Sequence, residues 1–176
     1  MLDARLLPLC NDRTRLRAMR RGDAAAYAAG TADPLVRRWA HLPEPTYTEA
    51  SVALLIDGAV REGLDRGDLA VLAIADRETD CFAGSLVLFD VADGKAEVGF
   101  WLHPDHRGRG HATEGLELAV KLARRSGLHR LTARSVLDNR ASQRVLELAG
   151  FTREAEERSV APSGREILAV HYSVSV

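Results

Sequence analysis

Cysteine is scarce: Cys10 and Cys81 are the only two in a chain of 176 residues. Two thiols cannot staple a small scaffold, and these two have no metal-ligand spacing. They fit a reducing compartment, with a single disulfide between them left open. Long apolar runs are also missing. The longest purely aliphatic stretch, Leu69 to Ala75, falls far short of the roughly 20 residues that a membrane helix needs. Neither sign of charge is in excess, because 24 Lys and Arg stand against 25 Asp and Glu for a net charge of −1. No global field therefore draws the chain onto nucleic acid or anionic lipid. A signal-peptide layout is absent too, since Asp3 and Arg5 interrupt the first apolar residues. With 14 Gly and 6 Pro, collagen-like and low-complexity classes are excluded, and no repeat of roughly 20–50 residues is found. These absences predict a cytoplasmic protein with no membrane and no nucleic-acid partner.

What is present is a globular composition, 46% hydrophobic and 28% charged. It fits one ordinary domain over residues 1–176, without a linker polar enough to divide it. Thr14 to Met19 reads as a short strand, and Asp23 sits where an N-cap belongs before Ala24 to Ala29. Asp33-Pro34 opens a further segment that Pro43 and Pro45 break. Thr48 with Ser51 to Glu62 predicts a helix with Val52, Leu55, Ile56 and Ala59 on one stripe. Leu69 to Ala75, Ala83 to Phe89 and Ala96 to Leu102 predict a meander, with Asp93-Gly94 as its hairpin signal. In the third strand Ala96, Val98, Phe100 and Leu102 share one face, and Glu97, Gly99 and Trp101 the other. A bulge would change that parity. A helix over His111 to Ser126, a strand over Leu131 to Val136 and a helix over Ala141 to Ala149 follow. Arg153 to Val160 and Glu166 to Val174 pair around Pro162-Ser163-Gly164. The total is α+β, with roughly seven strands and four helices.

The most informative stretch is His103-Pro-Asp-His-Arg107-Gly108-Arg109-Gly110-His111-Ala112-Thr113, between a strand and an amphipathic helix. Glycines let the chain turn and let a ligand approach. A helix N-terminus presents unpaired N–H groups and a positive dipole end. The amides of Arg107 to Ala112 could cradle a pyrophosphate, with side-chain charge added by Arg107 and Arg109. A Gly-rich turn with two solvated arginines accounts for the same residues. A P-loop would need a Lys that is missing, and Thr113 stands where a dinucleotide fingerprint wants its third glycine. His103, His106 and His111 suggest a metal only by their number. Their neighbours belong to the phosphate loop, and no metal is expected.

Arg107-Gly108-Arg109-Gly110-His111-Ala112 resembles the R/Q-x-x-G-x-G/A signature of the GCN5-related N-acetyltransferases (GNAT). Glu97-Val-Gly-Phe-Trp-Leu before it, and Asn139-Arg-Ala-Ser142 through Gly150-Phe151 after it, resemble the subgroup that acetylates ribosomal-protein N-termini, the RimJ/RimL-like enzymes. The resemblance implies a mixed, mostly antiparallel sheet with a splayed parallel strand pair that holds acetyl-CoA. It implies acetyl transfer to a primary amine, on a protein N-terminus or a small molecule, by direct attack. A catalytically silent acyl-CoA-binding module is the alternative.

Residue by residue, the resemblance places pyrophosphate on the Arg107–Ala112 amides, with Thr113 adding its hydroxyl, and pantetheine along the Phe100, Trp101, Leu102 edge. Asn139 matches the position that holds the pantetheine arm, and an Asx-type helix cap explains it as well. Ser142 matches the donor to the leaving thiolate, where a helix-end hydroxyl is the plainer reading. Glu97 is the general-base candidate, or else a structural Glu pairing an Arg across the sheet. Another branch proposes a Glu in the final hairpin for that task, and this chain has Ala161 there. Trp39, His41 and Tyr47 fall in the segment that resembles the acceptor wall, where lid or core packing is the commoner explanation for aromatics. The tail strands leave a homodimer open.

Overall fold

Period-2 alternation in the strands and helical stripes between them build a sheet covered on both faces. The computed structural model describes residues 1–161 and 163–176. Pro162, part of the predicted tail turn, lies outside the described residues. The strands are β1 (Leu9–Cys10), β2 (Thr14–Ala18), β3 (Ala70–Asp76), β4 (Phe82–Ala92), β5 (Lys95–Leu102), β6 (Arg130–Val136), β7 (Thr152–Val160) and β8 (Glu166–Ser175). They form one sheet in the order β1-β2-β3-β4-β5-β6-β8-β7. Every neighbouring pair is antiparallel except β5 and β6, which run parallel. The strand beyond the predicted seven is β1, too short for a pattern to show.

The helices are α1 (Ala24–Thr31), α2 (Pro34–Trp39), α3 (Glu49–Leu55), α4 (Arg61–Arg66), α5 (His111–Arg125) and α6 (Arg140–Leu148). The single helix expected over residues 51–62 is interrupted: Ile56–Val60 form a π-turn between α3 and α4, with non-helical backbone at Gly58. A reciprocal pair of hydrogen bonds between Thr48 and Ser51 starts α3.

One face of the sheet packs on α5, whose Leu116, Leu118, Ala119, Leu122 and Ala123 are buried against Leu72, Leu86, Val98 and Leu131. The other face meets a smaller cluster in which Tyr27, Val36, Val52 and Ile56 pack with Phe82 and Trp101. The β5 parity predicted from sequence holds, because its pairing with β4 runs without a shift from Glu97 to Leu102. The irregularity falls beyond Phe89 on β4, next to the Asp93-Gly94 turn, where both residues have positive φ (48° and 71°). Two left-handed residues in succession give the hairpin turn whose twist suits antiparallel strands.

Asp23 occupies the residue before α1 but its carboxylate does not cap that helix. It is drawn instead to the guanidinium of Arg17, with contacts of 2.7 and 2.9 Å, and to the Arg20 amide at 2.8 Å. Arg17 is only 4% exposed, and a buried guanidinium outcompetes neutral helix amides for a carboxylate. Both cysteines are free and exposed. No helix among the described residues is long and apolar enough to cross a membrane.

Candidate active site

The parallel pair opens a gap. β5 and β6 are hydrogen-bonded only where Lys95, Ala96 and Glu97 face Arg130, Leu131 and Thr132. Beyond Glu97 the two strands diverge, because β6 continues along β8 as far as Val136 while β5 stays with β4 up to Leu102. The β6-facing edge of Val98–Leu102 is therefore left without a strand partner.

The Gly- and Arg-rich segment lies at the end of β5. Pro104–His106 form a 3₁₀ turn, Gly108 and Gly110 take φ of 74° and 85°, and α5 starts at His111. These left-handed glycines bend the loop so that α5 begins with its amides open. The first intrahelical bond runs from the Glu114 amide to the Gly110 carbonyl. None of the amides of Gly108 through Thr113 donates to an acceptor among the described residues. The Arg107 amide, expected to join them, closes the 3₁₀ turn on the Pro104 carbonyl at 3.4 Å.

The two arginine side chains part company. Arg109 is exposed. Arg107 turns away from the loop and donates to Asp33 Oδ1 at 2.6 Å and the Leu102 carbonyl at 3.4 Å, so its charge is already neutralised. Asp33 also caps α2, accepting from the amides of Leu35 and Val36 at 3.0 Å each. The Arg107 hydrogen bond, with help from those amides, holds the Asp33 carboxyl below its ordinary range against the opposing effect of burial. A cation that the sequence reading missed stands nearby. Arg13 Nη1 would lie 3.1 Å from a Cβ added at Gly110.

The His111 side chain is buried, with Nδ1 3.0 Å from the Thr14 hydroxyl, so only its amide faces the loop. The His103 and His106 rings meet edge-on and those of His106 and His111 lie tilted, each pair about 6 Å between ring centres. Among the described residues no group of His, Cys, Asp or Glu is arranged to hold a metal.

On the α1–α4 side of the gap lies a cavity of about 450 Å³. Its walls include Val52, Leu55, Ile56 and Ala59, the whole helical stripe read from sequence, together with Val71 and Val87 from the sheet. Trp39, His41 and Tyr47 all line it. Trp101 packs edge-on to Tyr27 at 5.1 Å, and Tyr27 to Tyr47 at 5.5 Å. Gly30 makes room for that indole, since a Cβ there would stand 2.5 Å from Trp101 Cζ3. Burial pushes the Tyr27 phenol far above its ordinary value. Burial, and then the Arg165 charge, lower the His41 imidazole below its ordinary value.

Glu97 enters this cavity from β5 and meets Arg134 from β6, Nε to Oε1, at 2.7 Å. The pair bridges the two strands at the point where their ladder ends. Arg134 also donates to the Val160 carbonyl at 2.9 Å. Sequence reasoning had allowed for an Arg opposite Glu97 without identifying it. The alternation of Leu131, Ala133 and Ser135 against Thr132, Arg134 and Val136 carried the signal, because it puts Arg134 on the Glu97 face. Ala161 is buried on the cavity wall.

Asn139 caps α6, its Oδ1 accepting from the Ser142 amide at 3.2 Å. The amide NH₂ of Asn139 and the Ser142 hydroxyl have no hydrogen-bond partner among the described residues. Gln143, not singled out from sequence, is buried and donates to the carbonyls of Val136 and Leu137 at 3.2 and 2.7 Å. It fixes the start of α6 to the end of β6, on the gap's far side from Phe100–Leu102.

Residues 13–152 match the family model described as the acetyltransferase (GNAT) domain. The chain belongs to that family, and acetyl-CoA is the donor its fold is built to use. It is 25% identical over 129 residues to the uncharacterized N-acetyltransferase YnaD of Bacillus subtilis, covering 72% of each chain. Its fold is that of RimJ from Mycobacterium smegmatis, solved with CoA-disulfide (TM-score 0.81, 23% identity, 93% and 82% of the two chains). It is equally that of a putative ribosomal-protein-serine acetyltransferase from Vibrio cholerae (TM-score 0.80, 17% identity, 97% and 98%).

Proposed function

We propose that residues 1–176 work as one N-acetyltransferase domain that passes the acetyl group of acetyl-CoA to a primary amine by direct attack. The observation that carries this reading is the run of unpaired amides from Gly108 to Thr113, set at a helix N-terminus beside an unpartnered strand edge. Such a run suits a diphosphate, for which it supplies both hydrogen bonds and dipole. When bound, acetyl-CoA brings an activated thioester. The chain's own groups do the rest.

The Gly108–Thr113 amides and the Thr113 hydroxyl hold the diphosphate. The Phe100, Trp101 and Leu102 edge extends the sheet onto the pantetheine amides, and the Asn139 NH₂ left over from the cap steadies the same arm. Glu97 accepts a proton from the entering ammonium group on Oε2, the oxygen that Arg134 leaves uncovered. Ser142 Oγ donates to the departing sulfur. Trp39, His41 and Tyr47 form the acceptor wall. The amine belongs to a protein N-terminus or to a small molecule.

Calorimetry with acetyl-CoA, followed by a thiol-release assay over a panel of amines, tests this reading. One coenzyme should bind per chain, and at least one class of amine should release thiol. Glu97→Gln should keep coenzyme affinity and lose turnover, most strongly at low pH, where more of the amine is protonated. Binding without turnover on any amine would mark an acyl-CoA-binding module instead.

A further inference from the structure

The cavity beside Glu97 says more about the acceptor than that it is an amine. Its volume, about 450 Å³, falls within the roughly 300–1,000 Å³ typical of small-molecule sites. Most of its surface is hydrocarbon from helix and sheet, such as Val52, Ile56, Val71 and Val87. Three of the polar side chains in its wall are already engaged. Arg134 holds Glu97 and the Val160 carbonyl. The Ser85 hydroxyl donates to the Leu72 carbonyl at 3.3 Å, and the Tyr47 hydroxyl accepts from the Glu44 amide at 3.2 Å.

A peptide entering this space would bring an N–H and a C=O with every residue. Its free partners would be confined to the Val98–Trp101 edge and scattered side chains such as His41, and an unpaired polar group taken out of water weakens binding severalfold or more. An alkyl or aryl chain meets no such obstacle. From this we infer that the acceptor is a small primary amine on an apolar body, seated with its nitrogen at Glu97 and its hydrocarbon against the α3 stripe. This rests on the proposed acetyl transfer, whose diphosphate loop at Gly108–Thr113 lies outside the cavity wall and is tested separately.

The n-alkylamines from propylamine to hexylamine share nearly the same basicity, so they isolate apolar contact from nucleophilicity. Each methylene that enters the cavity should raise kcat/KM about fourfold. A short peptide with an N-terminal serine should be about tenfold or more poorer than hexylamine. Binding can be read without turnover, because Trp39 and Trp101 are the protein's only two tryptophans and both line the cavity. Hexylamine should shift their emission, with and without saturating CoA.

Ala59→Phe, at an exposed position on the cavity wall, should flatten the chain-length series at its long end and leave CoA affinity unchanged by calorimetry. A flat series in the wild-type protein together with preference for the peptide would overturn the inference while the donor reading stood. So would unchanged hexylamine binding in Ala59→Phe. Failure of CoA to bind would overturn the donor reading, and the amine titration by tryptophan emission would still decide what the cavity holds.

Discussion

Gly110→Val is the most direct probe of the proposed diphosphate cradle, provided backbone strain is separated from the loss of the site. Gly110 has φ of 85°, and Gly127, past the other end of α5, has φ of 80°. An L-residue forced into that region costs about 1–2 kcal/mol. For a chain of this size that lowers Tm by roughly 2–8 °C, and Gly127→Val should show the same loss. The coenzyme should tell the two variants apart. Nothing lies within 4 Å of a Cβ at Gly127, whereas a Cβ at Gly110 meets Arg13 at 3.1 Å beside the open amides. The valine methyls would displace Arg13 and turn those N–H groups. Losing two hydrogen bonds to a charged phosphate, at about 1.5–3 kcal/mol each, weakens binding by about 3–6 kcal/mol, or roughly 10²–10⁴-fold in Kd. Calorimetry with CoA measures this, and thermal unfolding measures the strain. If Gly110→Val binds CoA as the wild type does, or Gly127→Val loses it equally, the placement of the diphosphate is wrong.

Asp23→Ala should cost about 3 kcal/mol, because it leaves the buried Arg17 guanidinium with Asp80 as its remaining carboxylate; the check is a Tm lower by about 6–12 °C. Ser142→Ala should reduce kcat about 100-fold if the hydroxyl protonates the leaving sulfur, with the CoA Kd kept in place by the Asn139 cap. A drop in CoA affinity without a change in kcat would make it a binding residue. The folded Asp33 carboxyl is held below its ordinary 3.8 chiefly by Arg107, so its contribution to stability is complete above that value and is lost as pH falls through the lowered one. Wild type and Asp33→Asn should therefore differ in stability at pH 6 and converge in strong acid. A difference independent of pH would assign the effect to packing.

Much of this was legible in the sequence because period and turn chemistry are local properties. The β5 alternation, the Asp93-Gly94 hairpin and the α5 stripe each follow from neighbouring residues, and the pattern of Gly108 and Gly110 before an amphipathic helix marked the loop. What escaped depends on partners far along the chain. Arg107 looked free for phosphate until the fold brought Asp33 to it, 74 residues away. Asp23 looked like a cap until Arg17 was seen buried beside it. The α3 stripe was read correctly as one face, but periodicity cannot say whether that face meets a packed core or borders a cavity. The π-turn at Ile56–Val60 left no trace, because a single wider turn does not disturb the spacing of apolar residues around it.

The Arg107–Asp33 contact has a consequence for anyone who would re-engineer this protein. It fastens the proposed diphosphate loop to the first turn of α2, the helix that ends in Trp39, so the proposed donor and acceptor sites are not independent modules. Swapping the segment before Trp39 to accept a new amine would also alter the loop proposed to hold the donor. Acceptor libraries built in this scaffold should hold Asp33 constant, or be scored for coenzyme retention before they are scored for selectivity.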